Sequence, residues 1–155
     1  MRRFIQLVMV IFVLFVCTCT TFAAGCTQDV KVIVSGVVQV ECVCTGSGVD
    51  GSIDTQTLNA TAMKEIKGMY LYQVVVRPGT VVPDAASLLV YMKGRDVLGG
   101  KGTNIIHATN TQDTFPYSTF MATYVYPMVI DTITFEVTGQ NTQSAQYIID
   151  YIFVR

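Results

Sequence analysis

The chain has 155 residues, 51% of them hydrophobic and 14% charged. It is sized for one domain and too apolar for a disordered polymer. The formal charge is −1, and setting aside Arg2 and Arg3 leaves eight basic against eleven acidic residues, or −3, so nothing draws it toward nucleic acid. Val, Ile, Thr, Tyr and Phe dominate, Trp is absent and helix formers are sparse, a balance that points to an all-β domain.

The N-terminus reads as a targeting segment. Arg2 and Arg3 precede a mostly apolar run, Phe4 to Val16, and a small-residue region ends in Ala23-Ala24-Gly25. This is the layout of a secretory signal peptide, with cleavage after Ala23 or Gly25 satisfying the small-x-small preference. "AAGC" also resembles a bacterial lipobox in which Cys26 becomes the lipidated first residue, although Ala23 stands where Leu is usual. The alternative is an uncleaved anchor, since no charge occurs between Arg3 and Asp29 and about 20 apolar residues cross a bilayer. The domains expected are therefore 1–25, signal peptide or anchor, and 26–155, a β-sandwich.

Cys17 and Cys19 leave with a cleaved leader, so Cys26, Cys42 and Cys44 remain, an odd number. "QDVKVIVSGVVQVECVC" reads as two strands around Ser35-Gly36. A two-residue turn would pair Val34 with Val37 and Val32 with Gln39, mixing polar and apolar residues on each face. A three-residue loop, Val34-Ser35-Gly36 with Gly36 left-handed, sets Val32 opposite Val38 and Val30 opposite Val40. Val30, Val32, Val38, Val40, Cys42 and Cys44 then share one buried face, and the hydrophobic pattern selects this second register. It also brings Cys26 opposite Cys44, where a disulfide could form in an oxidising compartment; lipidation of Cys26 would forbid it. Cys42-x-Cys44 points one way on a strand, but the chain has a single histidine, so no metal site is expected.

Residues 45 to 57 are rich in Gly, Ser, Thr and Asp and read as a loop. "NATAMKEIKG" predicts a short helical turn capped by Asn59 or Thr61 and ended by Gly68; Asn59-Ala60-Thr61 also fits a glycosylation acceptor. Strands are expected over 69–76, 87–92, 121–126, 131–138 and 146–154. In 131–138, Ile133, Phe135 and Val137 alternate with Thr132, Thr134 and Glu136. The last strand is apolar on both faces except Asp150, which places it centrally in a sheet or at a subunit interface. Seven or eight strands in ~130 residues suggest a single β-sandwich or jelly-roll-like domain.

The most motif-like stretch is "DVLGGKGTNIIHAT". Aligned as a P-loop on Gly100-Lys101, the first glycine position is Arg95 and the Ser/Thr position is Gly102, so the pattern fails and a turn is expected. His107 has no G-x-S-x-G nucleophile elsewhere to serve, and reads as structural. The acids are scattered, and no catalytic, cofactor or metal residue is assigned; the chain is not expected to be an enzyme. "TFPYSTFMATYVYP" gathers Phe115, Tyr117, Phe120, Tyr124 and Tyr126, a candidate partner or glycan surface, with core packing as the alternative.

From Ile66 onward the chain resembles a family of small β proteins of unknown function encoded among tailed-phage and prophage structural genes. The residues that carry the resemblance are Pro78-Gly79-Thr80, Pro83-Asp84-Ala85, Asp96-Val97-Leu98-Gly99-Gly100, Gly102-Thr103-Asn104 and the closing "PMVIDTITFEVTG…YIIDYIFVR". Relatives often carry Asp residues where this chain has Met92-Lys93-Gly94-Arg95, so no cation site is carried over and only Asp96 is retained. The resemblance implies a non-enzymatic virion protein, a decoration or fibre-like component. Its partners would be other virion proteins or itself, as a homo-oligomer such as a trimer. The leader raises a second expectation, an exported, lipid-anchored envelope protein of a lysogen in the periplasm, outer membrane or cell surface. A third is a secreted module binding cell-surface glycan through the 115–126 aromatics. Membrane contact is expected only through the N-terminal segment.

Overall fold

The structure is a computed structural model that describes residues 24–155; the leader expected over 1–25 lies outside the described residues except for Ala24 and Gly25. Strand β1 (Gly25–Val34) turns at Ser35-Gly36 into β2 (Val37–Thr45). Their antiparallel register sets Cys26 against Cys44, Val30 against Val40 and Val32 against Val38. The turn departs from the three-residue loop expected. Val34 pairs with Val37, and the register slips by one between Val32 and Val34. Ile33 is thus an extra residue, a bulge that restores the apolar alternation after a two-residue turn. Gly36, at φ 83°, supplies the left-handed residue that turn needs. Val38, Val40, Cys42 and Cys44 are buried, but Val32 is 66% exposed. It lies on an edge strand at the turn end of the hairpin, flanked in the sheet on one side only, which corrects its expected burial.

Three more strands complete a five-stranded sheet ordered β1-β2-β11-β4-β7, with β4 (Tyr70–Pro78), β7 (Gln112–Thr114) and β11 (Gln146–Val154). The last strand is the central one, antiparallel to β2 and β4. That position explains why it is apolar on both faces. Tyr147, Ile149, Tyr151 and Phe153 point inward and are fully buried.

A second, four-stranded sheet runs β3-β10-β5-β6, from β3 (Gln56–Thr57), β5 (Ser87–Met92), β6 (Arg95–Asp96) and β10 (Ile133–Thr138). Ile133, Phe135 and Val137 face inward as their alternation requires, against Leu88, Val90 and Met92 of β5. The inward faces of both sheets belong to one hydrophobic cluster, and the rings of Phe135 and Tyr151 approach to 5.7 Å within it. Each fully buried side chain of this kind contributes about 1.5–3 kcal/mol. The fold is all-β. Its one helix among the described residues, α1 (Ala60–Ile66), starts where Asn59 Oδ1 accepts the Ala62 amide at 2.9 Å. The helix buries Ala62 and Ile66, and no helix of the described residues is long and apolar enough to cross a membrane.

The strand expected over 121–126 is not there. Instead β8 (Tyr117–Ser118) and β9 (Thr123–Tyr124) form a two-stranded hairpin. The Met121 amide bonds to Ser118 Oγ at 3.2 Å, and Ala122 takes a φ of 50°. That reverses the chain between Pro116 and Pro127 and interrupts any longer strand. Phe120 stands at the tip of this hairpin, 97% exposed.

Candidate functional site

The glycine-rich loop after β6 is closed on itself. Asp96 Oδ1 accepts the Leu98 amide at 3.0 Å, and its Oδ2 accepts the Gly100 amide at 2.9 Å. The Lys101 and Thr103 amides bond to the carbonyls of Leu98 and Gly100. Amides that would cradle a phosphate are therefore occupied by the loop's own carboxylate and carbonyls. Gly99 and Gly100 have φ of 55° and 80°, and a Cβ on Gly102 would overlap the Leu88 carbonyl oxygen of β5. These glycines serve turn geometry and close packing.

The feature that faces solvent is aromatic. On β4, Ile152 pairs with Gln73 and Phe153 with Leu71, so Tyr72 is a bulged residue and emerges half-exposed. Its ring stacks on Tyr126 at 5.3 Å, with 21° between planes, and meets the edge of Phe115 at 5.6 Å. Phe115 in turn contacts Tyr124 at 6.0 Å, and Tyr124 contacts Tyr117 at 5.5 Å, both nearly perpendicular. Lys101 Nζ closes the row 4.6 Å above the Tyr117 ring. The cross-strand pair Tyr117–Tyr124 comes from the β8–β9 hairpin, Phe115 and Tyr126 come from the chain on either side of it, and Tyr72 comes from β4. The result is a continuous band, Tyr126–Tyr72–Phe115–Tyr124–Tyr117. Each ring pair contributes about 0.5–1.5 kcal/mol beyond burial, so the band is braced before anything binds. Next to one end lies a shallow depression of about 480 Å³ between Tyr70, Tyr72, Tyr126 and Val154. At the other, Tyr117 and Phe120 border a hollow of about 550 Å³ shared with Arg95 and Asp96. Four of the five aromatics singled out in the sequence meet here; Phe120 borders the hollow without joining the ring contacts. Tyr72, distant in sequence, is the member that reading missed, and its signal was the alternation of Tyr70 and Tyr72 around Leu71.

A second constellation crosses the outer face of the larger sheet. Register sets Glu41 of β2 opposite Asp150 of β11. Arg77 of β4 reaches both, 2.8 Å from Asp150 Oδ2 and 3.0 Å from Glu41 Oε2. Gln39 Nε2 donates to Asp150 Oδ1 at 2.7 Å, and Lys31 Nζ to Glu41 Oε1 at 2.9 Å. Asp150 is only 5% exposed, and these donors are what make its burial tolerable. The Lys31 ammonium, then the Arg77 guanidinium, hold the Glu41 carboxyl below the usual carboxylate range. Both carboxylates are engaged by cations, and the arrangement ties four strands together.

Cys26 and Cys44 form a disulfide, a bond chemically exclusive of a lipidated Cys26. Cys42 is free and buried, and burial pushes its thiol up to about 12, so it stays protonated and unreactive. The hydroxyls of Tyr147 and Tyr151 are buried without a protein hydrogen-bond partner. His107 is half-buried, and its Nδ1 accepts the Thr109 amide at 3.3 Å. No group of three or more metal-ligating side chains occurs among the described residues. Compared with known proteins, the chain matches no family model, and no curated protein or solved structure is significantly similar to it.

Proposed function

We propose that this is a non-enzymatic, phage-encoded structural protein, a decoration or fibre-like component of the virion, that works through contacts of its β-domain surface. The observation that carries the reading is the aromatic band. Tyr124 and Tyr126 are about half exposed and continuous with Tyr72, and an exposed apolar patch of this kind marks an interaction surface. Tyrosine suits such a surface because a rigid amphipathic ring loses little entropy on contact. A protein partner fits better than a sugar: edge-to-face contacts within the band already occupy ring faces that a sugar would need for stacking. The phage setting rests on the resemblance of residues 66–155 to proteins encoded among tailed-phage and prophage structural genes.

A second reading, an exported envelope protein of a lysogen, is favoured by the Cys26–Cys44 bond, which belongs to an oxidising compartment, and by the leader-like N-terminus. The contact claim is tested by phage carrying Tyr124→Ser and Tyr126→Ser, with folding checked by retention of the disulfide. Copies per particle are expected to fall at least tenfold, the loss of one or two interface anchors. Undiminished incorporation would refute the band as the contact surface, and retained incorporation with lost glycan binding would point to the third reading instead.

A further inference from the structure

Among the described residues β1 has a sheet neighbour on one side only. Its free edge can be read from backbone parity. The Gly46 amide bonds to the Ala145 carbonyl and the Arg155 amide to the Gly36 carbonyl, so the even residues of β2 bond toward β11 and the odd ones toward β1. Through the register of the hairpin, Asp29 and Lys31 bond to β2, while the backbone groups of Gln28, Val30 and Val32 point outward. The Val30 amide illustrates this, since it is taken by its own neighbour's carboxylate, Asp29 Oδ1, at 2.9 Å. The end of the strand is also apolar and uncovered: Val32, Ile33 and Val34 are 66%, 52% and 59% exposed. A long edge in this state is a template for another strand.

We infer that β1 is a self-association edge, pairing antiparallel with β1 of a second copy about a two-fold axis at Val30. The choice of a second copy comes from charge. With Val30 opposite its own copy, Asp29 of each chain turns from the Val30 amide to the Lys31 opposite it, twice, and the released Val30 amides exchange two backbone hydrogen bonds. Sliding the partner two residues either way, the smallest shift that keeps outward backbone groups in register, sets Asp29 against Asp29 or Lys31 against Lys31. The Val30-centred register is the only antiparallel one that sets opposite charges against each other, and it brings Val32 against Gln28 and lays the exposed apolar end along the start of the partner strand. Lys31 keeps its bond to Glu41, having three donors to share. The interface is isologous and closes as a dimer. The two sheets become one continuous sheet of ten strands, with the aromatic bands beyond β4 and β7 at its opposite ends. A bivalent contact protein follows, in which two weak bands bind one surface with avidity.

The test is the oligomeric state of the full chain, by sedimentation equilibrium in density-matched detergent, for the wild type, Asp29→Lys, Lys31→Glu and an equimolar mixture of the two variants. The wild type is expected to dimerise. Each variant alone sets like charges opposite one another twice and weakens the dimer roughly tenfold or more. In the mixture every cross-strand pair is again opposite in sign, so the heterodimer recovers wild-type affinity. Recovery also shows that both variants are folded. A wild type monomeric at about 1 mM, variants that dimerise as well as the wild type, or a mixture that does not recover would each overturn the proposal. None of these outcomes touches the contact function, since the band lies on other strands.

Discussion

Breaking the Cys26–Cys44 bond shows how the first strand is held. The bond closes a separation of 18 residues. A loop of that length removes about 11 cal/mol/K from the unfolded chain, or about 3 kcal/mol at 25 °C. In a domain of this size that corresponds to a fall in Tm of roughly 10 °C. The substitution to use is Cys26→Ala, because Cys26 is half-buried whereas Cys44 is fully enclosed and a polar replacement there would add its own penalty. Thermal and urea melts of wild type and variant, each with and without reductant, separate the contributions. Reductant is expected to bring the wild type down to the variant and leave the variant unmoved. β1 is an edge strand, so hydrogen exchange at Thr27, Asp29 and Lys31 tells whether it detaches before the rest. The reasoning fails if neither reduction nor substitution moves the midpoint by more than about 0.5 kcal/mol, or if Cys26 carries a thioether-linked lipid.

Three further outcomes follow from named contacts. Glu41, held below its ordinary 4.5 by Lys31 and then Arg77, contributes stability that is complete above that value and is lost as pH falls through the lower folded one; Glu41→Gln should flatten this acid limb in pH-dependent urea melts. Asp150→Ala should cost about 2–3 kcal/mol in urea titration, because it leaves Gln39 and Arg77 without their buried acceptor, and Asp150→Asn should cost less. Gly102→Ala, whose Cβ meets the rigid Leu88 carbonyl, should lose about 1–3 kcal/mol. Gly100→Ala has open space and a φ of 80°, so it should lose only the ~1 kcal/mol of a left-handed alanine, and a calorimetric comparison checks the order.

The hairpin register was readable because a one-residue slip would have mixed polar and apolar side chains on both faces, so Val30–Val40 and Cys26–Cys44 were nearly dictated by alternation. The same holds for β10, where three apolar residues alternate with three polar ones. Alternation could not distinguish a three-residue loop from a two-residue turn plus a bulge at Ile33, since both leave the strands in the same register. The segment 121–126 looked like a strand by composition, yet its reversal depends on the Ser118 hydroxyl and the strained Ala122. Such local bonds are weak signals beside a run of aromatics. Tyr72 joins the band, and Arg77 joins Glu41 to Asp150, through the pairing of distant strands. Neither partner was legible without the order β2-β11-β4.

The central claim, a virion component acting through its surface, is tested most directly by peptide mass spectrometry of purified phage particles under non-reducing conditions. Cleavage after Lys31 places Cys26 and Cys44 on different peptides, so the bond between them appears as one linked species. The account predicts peptides of residues 26–155 in the particles, including that linked pair. Detection only in host membranes, with the chain starting at a lipid-modified Cys26, would contradict both the virion role and the disulfide.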